Sequence, residues 1–247
     1  MTRTVSLAVW LTLTTLAAAQ GDLPQGQSVL DSVVEAEGGR TAFDRLHTRV
    51  LRGQIEIPAK GLSGPIARYQ AAPNKERTEL FGGAEGTDGQ VAWENMATGP
   101  RAKQGAECRS ALRRAVFNPE ANWRKIYQSA DCKGVENADG IECYRLQLKT
   151  FEGDPVTLWI DKKSRMPVKE MTTEHRPDGD FSLQIYYEDY RKVDGIWLPC
   201  RQRQKFAGTE MIITFDRVEH NMFIPSAQFE PPADVRKLLE KEKGRNK

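Results

Sequence analysis

From residue 48 onward, apolar positions recur at every second residue in short runs separated by turn chemistry. Val50, Ile55 and Ile57 mark an outgoing strand, residues 58–64 a turn, and Ile66 and Tyr69 the next strand. Residues 76–81 form another, and Gln90–Asn95 follows the glycine-rich GGAEGTDG. The second half is more regular. Tyr144, Leu146 and Leu148 alternate, as do Leu158 and Ile160, while Phe181, Leu183, Ile185 and Tyr187 share one face. Met211, Ile213 and Phe215 line the last strand, and Lys162–Arg165, Pro177–Asp180 and Asp194-Gly195 read as turns. Period two, broken by turns at short and regular spacing, predicts an antiparallel sheet.

Helical spacing appears in only a few places. Ser28 and Asp31 resemble a capping box ahead of Val29, Leu30, Val33 and Val34, and Gly38-Gly39 stops that helix. Thr41 caps a short segment with Ala42, Phe43 and Leu46. Residues 106–117 place Ala111, Leu112, Ala115 and Val116 on one face before Asn118-Pro119, and residues 234–243 carry Val235, Leu238 and Leu239. A long sheet must cover its apolar side, and these helices are the only cover available. The expected fold is mainly β (α+β): a single curved antiparallel sheet forming an open, incomplete β-barrel, with helices plugging or covering its concave face. Alternation makes Val91, Trp93, Leu146, Leu148, Leu158, Ile160, Leu183, Ile185, Ile213 and Phe215 its inward wall, with Leu112, Val116 and Phe117 on the lid.

The leader changes the picture of where such a barrel works. Arg3, an uncharged and largely apolar run from Val5 to Ala19, and small residues at its end have the layout of a secretory signal peptide, residues 1–19. The run is shorter than the ~20 apolar residues that span a bilayer. Residues 20–247 are then one exported, soluble domain with a basic helical tail, located in the periplasm. No cysteine follows the cleavage region, so a lipid anchor is not expected. The chain has 36 Lys and Arg against 34 Asp and Glu, a net charge of +2, and losing Arg3 leaves +1. That balance argues against nucleic acid as a partner. The four cysteines suggest disulfides in an oxidising compartment. Cys132 and Cys143 are symmetric about the turn KGVENADGIE, which favours Cys132–Cys143 and leaves Cys108–Cys200. Zinc lacks the C-x-x-C or paired-histidine spacing it needs.

Candidate chemistry is sparse. His47, His175 and His220 are far apart, and no nucleophile or phosphate-loop motif is present. Glu174-His175 beside Asp178 and Asp180 reads as a solvated turn. A hydrolase would need His175 to meet distant carboxylates in one cleft. In YYEDYRKVDGIWLP, alternation puts Tyr187 and Asp189 on one side and Tyr186, Glu188 and Tyr190 on the other, so these groups do not converge.

Several stretches carry a family likeness. LWIDKKSRMPVKEM (158–171) resembles the strand-turn-strand signature of periplasmic lipoprotein-sorting carriers of the LolA/LolB type, and of the lipid-sensing domain of RseB/MucB-type regulators. ARYQAAPNKERTEL (67–80), GTDGQVAWENMATGP (86–100) and SAQFEPPADV (226–235) resemble further family segments in the same order. YEDYRKVDGIWLP resembles a signature of exported, functionally unassigned members of that superfamily. The resemblance implies an open barrel closed by helices that binds acyl chains or lipidated protein. In the family an Arg just before the Pro-Asn turn latches the helical lid, and Ala72 stands there in this chain. The expected function is a non-enzymatic carrier or binding protein for a hydrophobic ligand, a lipid or lipoprotein acyl chain, without cofactor or metal. The alternative is an envelope sensor or protein-interaction module whose barrel is filled by its own side chains.

Overall fold

The computed structural model describes residues 23–245, with side chains to residue 241; the expected leader lies outside this range. Two helices come first, α1 (Gly26–Glu37) and α2 (Arg40–Asp44). Six strands follow: β1 (Thr48–Ile57), β2 (Leu62–Ala71), β3 (Lys75–Leu80), β4 (Gly83–Thr87), β5 (Ala92–Met96) and β6 (Gly99–Ala102). After α3 (Gly105–Arg114) and α4 (Trp123–Ile126) come β7 (Tyr127–Ala138), β8 (Ile141–Thr150), β9 (Pro155–Asp161) and β10 (Pro167–Arg176). The strands β11 (Gly179–Val193), β12 (Ile196–Phe206) and β13 (Thr209–His220) then lead to α5 (Ala233–Arg245).

All the strands form one 13-stranded antiparallel sheet in the order β6-β5-β4-β3-β2-β1-β13-β12-β11-β10-β9-β8-β7. It consists of two meanders joined where β1 pairs with β13, and the end strands β6 and β7 do not meet. The barrel is therefore open, as alternation and turn spacing predict. The Asp194-Gly195 turn has both central residues at positive φ, +50° and +93°, the twist that suits a two-residue hairpin.

The helix α1 docks on the concave face. Val29, Leu30, Val33 and Val34 pack with Leu146, Leu148, Val156, Ile160, Ile196 and Leu198. Each fully buried aliphatic side chain contributes roughly 1.5–3 kcal/mol, so this face alone holds α1 as a fixed plug. Gly38 ends it at φ +142°, and a Cβ there would lie 2.5 Å from the Gly195 carbonyl oxygen. Helix and hairpin thus meet backbone to backbone.

Two helices depart from expectation. The helix α3 bridges from β4–β5 to β10, but it buries Glu107, Ser110 and Arg113 rather than its apolar residues. Its sheet-facing contacts are ion pairs: Arg101 to Glu107 at 2.6 Å and Arg113 to Asp154 at 3.0 Å. The helix α5 does not enter the concavity. It covers the opposite face of β4–β6, where Val235 joins Ala84, Trp93 and Ala102.

Candidate functional site: a mixed hollow under the helices

A hollow of about 370 Å³ remains between the concave face and the helices. Its lining mixes apolar residues, Leu51, Leu183, Ile185, Leu198 and Met211, with charged ones, Arg68, Arg114, Glu85, Glu120, Glu170 and Glu174. The strands explain the mixture. Thr172 and Glu170 are opposite Leu183 and Ile185 in the β10–β11 register, so polar and apolar residues share one inward face.

The predicted wall does not stay together. Leu183, Ile185, Phe215 and the lid residue Val116 line the hollow. Leu146, Leu148 and Ile160 are fully buried beneath α1, with Leu158 packed against them. Ile213 joins Leu51, Ile55, Ile66 and Phe215 in a separate cluster. Trp93 and Val91 are misplaced by the sequence reading. Trp93 pairs with Gly86, whereas the hollow-lining Glu85 is one residue away and faces the other side. The indole of Trp93 is buried under α5 and donates to the Phe229 carbonyl at 3.3 Å. Val91 precedes β5, with its N–H bonded to the Asp88 carboxylate at 2.9 Å. Of the other lid residues, Leu112 is half-buried on α3, and Phe117 is buried under the guanidinium of Arg49, 5.2 Å from its ring centroid.

The cysteine pairing is also corrected. All four thiols are free. A bulge between Cys132 and Gly134 shifts the β7–β8 register, so Cys132 is opposite Leu146 and Cys143 opposite Glu136. Cys132 packs inward towards α1, and Cys143 packs outward with Ala138 and Trp159. Burial pushes the Cys143 thiol up to about 11.

Strict alternation fails where the sequence clusters its tyrosines. Asp189 adopts a left-handed φ of +51°. Tyr187 and Tyr190 then act on the same surroundings. The Tyr187 hydroxyl donates to Glu170 at 2.8 Å, and the Tyr190 hydroxyl donates to the Pro167 carbonyl at 2.9 Å. Burial pushes both phenols well up, and the charge of Glu120 adds to the effect on each. Burial also raises Glu37, Glu120 and Glu170, and Glu120 raises Glu37 further. This end of the hollow resists negative charge.

A chain of hydrogen bonds ties the helical cover to the sheet. Asn118 donates to the Phe43 carbonyl of α2 at 3.3 Å and accepts from Arg49 at 2.7 Å. Arg49 also donates from Nε to His220 Nε2 at 2.9 Å, so that nitrogen must be the acceptor. The other ring nitrogen, Nδ1, then carries the proton and donates to Asp194 at 2.8 Å. Burial and the Arg49 charge hold His220 below its usual value, consistent with a neutral ring. Sequence reading found none of this, although Arg49 lies where β1 enters the sheet and supplies the link between sheet and lid that Ala72 cannot.

His175 does meet carboxylates from separate segments: Asp180 at 2.7 Å through Nδ1 and Asp154 at 3.2 Å through Nε2. Burial opposes its charge, but the bonds and charges of Asp180 and Asp154 outweigh it and raise its pKa. Both ring nitrogens face carboxylates, so the protonated ring donates from both and then has no lone pair with which to accept a proton. Asp154 also binds Arg113, so the cluster fastens α3 to the β9–β11 region. Among the described residues no three His, Cys, Asp or Glu side chains form a metal-binding group. No helix among them is long and apolar enough to cross a membrane.

No family model matches the chain, and no curated protein matches it. Solved structures do. A DUF1329 family protein from Desulfovibrio piger shares 16% identity at a TM-score of 0.57, over 86% of this chain and 100% of that one. A LolA superfamily protein from Nitrosomonas europaea shares 17% identity at a TM-score of 0.55, over 84% and 98% of the two chains. A Vibrio parahaemolyticus domain classed as outer membrane lipoprotein-sorting shares 11% identity at a TM-score of 0.54, over 87% and 98%. At such identities the likeness is one of fold, and the fold is that of the LolA/LolB-like open barrels.

Proposed function

We propose that this protein is a periplasmic, non-enzymatic carrier or binding protein that shelters the apolar part of a lipid or lipoprotein in its hollow. The observation that carries the reading is the space of about 370 Å³ left under the helices, with Leu51, Leu183, Ile185 and Leu198 among its lining residues. It lies within the size range of pockets that enclose small ligands. A barrel filled by its own side chains would leave no such space. Each CH₂ moved from water to that apolar lining contributes roughly 0.8 kcal/mol, so binding needs no catalytic group. The export leader expected from the sequence and the lipoprotein-sorting class of the Vibrio parahaemolyticus domain support the location and the cargo class.

The test is mass spectrometry of an organic extract of the protein purified from its native compartment, together with titration of a neutral fluorescent lipid probe. Ile185→Trp, which fills the hollow from β11, is expected to abolish probe binding while leaving the fold intact. A protein that carries no lipid and binds no probe is not a carrier.

A further inference from the structure

The polar groups of the hollow are unevenly matched. Lys103 is paired with Glu85 at 2.8 Å, Arg114 with Glu174 at 2.7 Å and Arg113 with Asp154 at 3.0 Å. Arg68, on β2, lines the same hollow and has no ion-pair partner among the described residues. Its Nε donates to the Thr78 hydroxyl at 3.3 Å, and its guanidinium lies 5.5 Å over the Phe215 ring. That stacking fixes the plane of the guanidinium, and neither terminal nitrogen has an acceptor among the described residues. A second guanidinium, Arg176, lies over Phe206 at 5.0 Å on the same lining, also without an ion pair among the described residues.

Among the lining acids without a bonded cation, Glu76 takes the Gln70 amide at 2.9 Å. The Glu170 carboxylate takes the Tyr187 hydroxyl, and no Lys or Arg is bonded to it or to Glu120. Burial raises both carboxyls, which weakens their negative charge. Lys103 first, with smaller attractions from Arg114 and Arg68, holds the Glu85 carboxyl down near 2, and Lys103 bonds it directly at 2.8 Å. An added anion therefore finds a preorganised donor at Arg68 in a lining that also holds apolar residues.

We propose that the hollow selects a single-chain amphiphile with an anionic end, a carboxylate or a phosphate, bonded by the terminal nitrogens of Arg68 while its chain lies along Leu183, Ile185 and Met211. This rests on the carrier reading and narrows it to a ligand class. Planar guanidinium forks match both anions in two-point geometry.

The test is displacement of the neutral probe N-phenyl-1-naphthylamine from the purified protein by palmitate, palmitoyl lysophosphatidic acid, hexadecanol and hexadecylamine. The anions are expected to displace it at about tenfold lower concentration than hexadecanol or better. Arg68→Gln is expected to weaken the anions about ten- to hundredfold, the worth of a charge-assisted hydrogen bond, and to leave hexadecanol unchanged. Unchanged hexadecanol binding also shows that the variant is folded, and Arg68→Lys should retain part of the preference. A preference for palmitate or for the lysophosphatidic acid alone identifies the end group. Equal binding of hexadecanol and the anions, or stronger binding of the amine, overturns the anion site and leaves the carrier standing. Failure of every amphiphile and of the probe overturns the carrier reading itself.

Discussion

Replacing Arg49 by Met keeps most of the side-chain volume and deletes the donors that join the lid to the sheet. Two short bonds are lost, to Asn118 at 2.7 Å and to His220 at 2.9 Å, and a longer one to Gln70 at 3.3 Å. Two hydrogen bonds from a charged group stabilise by about 3–6 kcal/mol together. Against this, burial pulls the Arg49 guanidinium down to about 10, and removing the buried cation recovers about 3 kcal/mol. Asn118 is 4% exposed, and its orphaned oxygen then costs about 1–3 kcal/mol. The net loss expected is about 1–6 kcal/mol, a fall in Tm of roughly 2–20 °C for a chain of this size. The loss should also depend on pH. Arg49 lowers Glu37 and Glu120, so without it both carboxyls rise further above the unfolded value. A carboxyl whose folded pKa is raised favours folding below its unfolded pKa, and that contribution is lost as pH rises through the folded one. Urea unfolding followed by tryptophan fluorescence should therefore show a larger deficit at about pH 8 than at about pH 4. A variant within about 0.5 kcal/mol of the parent at both pH values would refute the account, because that is the scatter of ordinary surface substitutions.

Three further outcomes follow from the same structure. Glu37→Gln removes a buried carboxyl that burial and Glu120 raise, so its urea midpoint should exceed the parent's at about pH 8 and match it at about pH 4; a gain only in acid would reverse the sign of the argument. Trp93→Ala empties a site that is 0% exposed and should cost about 3–5 kcal/mol, with α5 becoming the first segment cut in limited proteolysis. Gly53→Ala would put a Cβ 1.9 Å from the Thr214 carbonyl oxygen, forcing β1 and β13 apart, and should lower stability by more than about 3 kcal/mol in the same urea assay; a mild loss would mean that the seam is loose.

The sheet was legible because its strands are bounded by turns that the chain spells out locally, such as Asp194-Gly195 and Pro177–Asp180. The face of a strand was not always legible. Val91 and Trp93 alternate correctly, but the side that needs covering at β5 is decided by α5, more than a hundred residues later in the chain. Tyr187 and Tyr190 converge only because a non-glycine residue, Asp189, takes a left-handed conformation, which composition does not announce. Cys132 and Cys143 look symmetric about their turn until a bulge shifts one strand against the other. Arg49 was invisible for a different reason. Its partners Asn118 and His220 are 69 and 171 residues away, and no local pattern encodes such meetings. The apolar half of the hollow could be read from period two. The charged half could not, because no local pattern marks Glu170, Arg68 and Arg114 as facing inward.

The pairing of β1 with β13 makes the middle of the sheet the strand pairing with the widest separation in sequence among the described residues. Arg49 is paired with His220, and Glu56 with Ile212. Each meander can form by itself from neighbouring hairpins, but the seam between them must wait for the last strand to be made and delivered. Loop-closure entropy for so long a span is met in a single late step. A chain emerging N-terminus first therefore passes through a stage with the long edge of β1 bare and unpaired, when it is most exposed to pairing with other molecules. For this architecture, successful maturation is a matter of shielding one strand until its partner arrives.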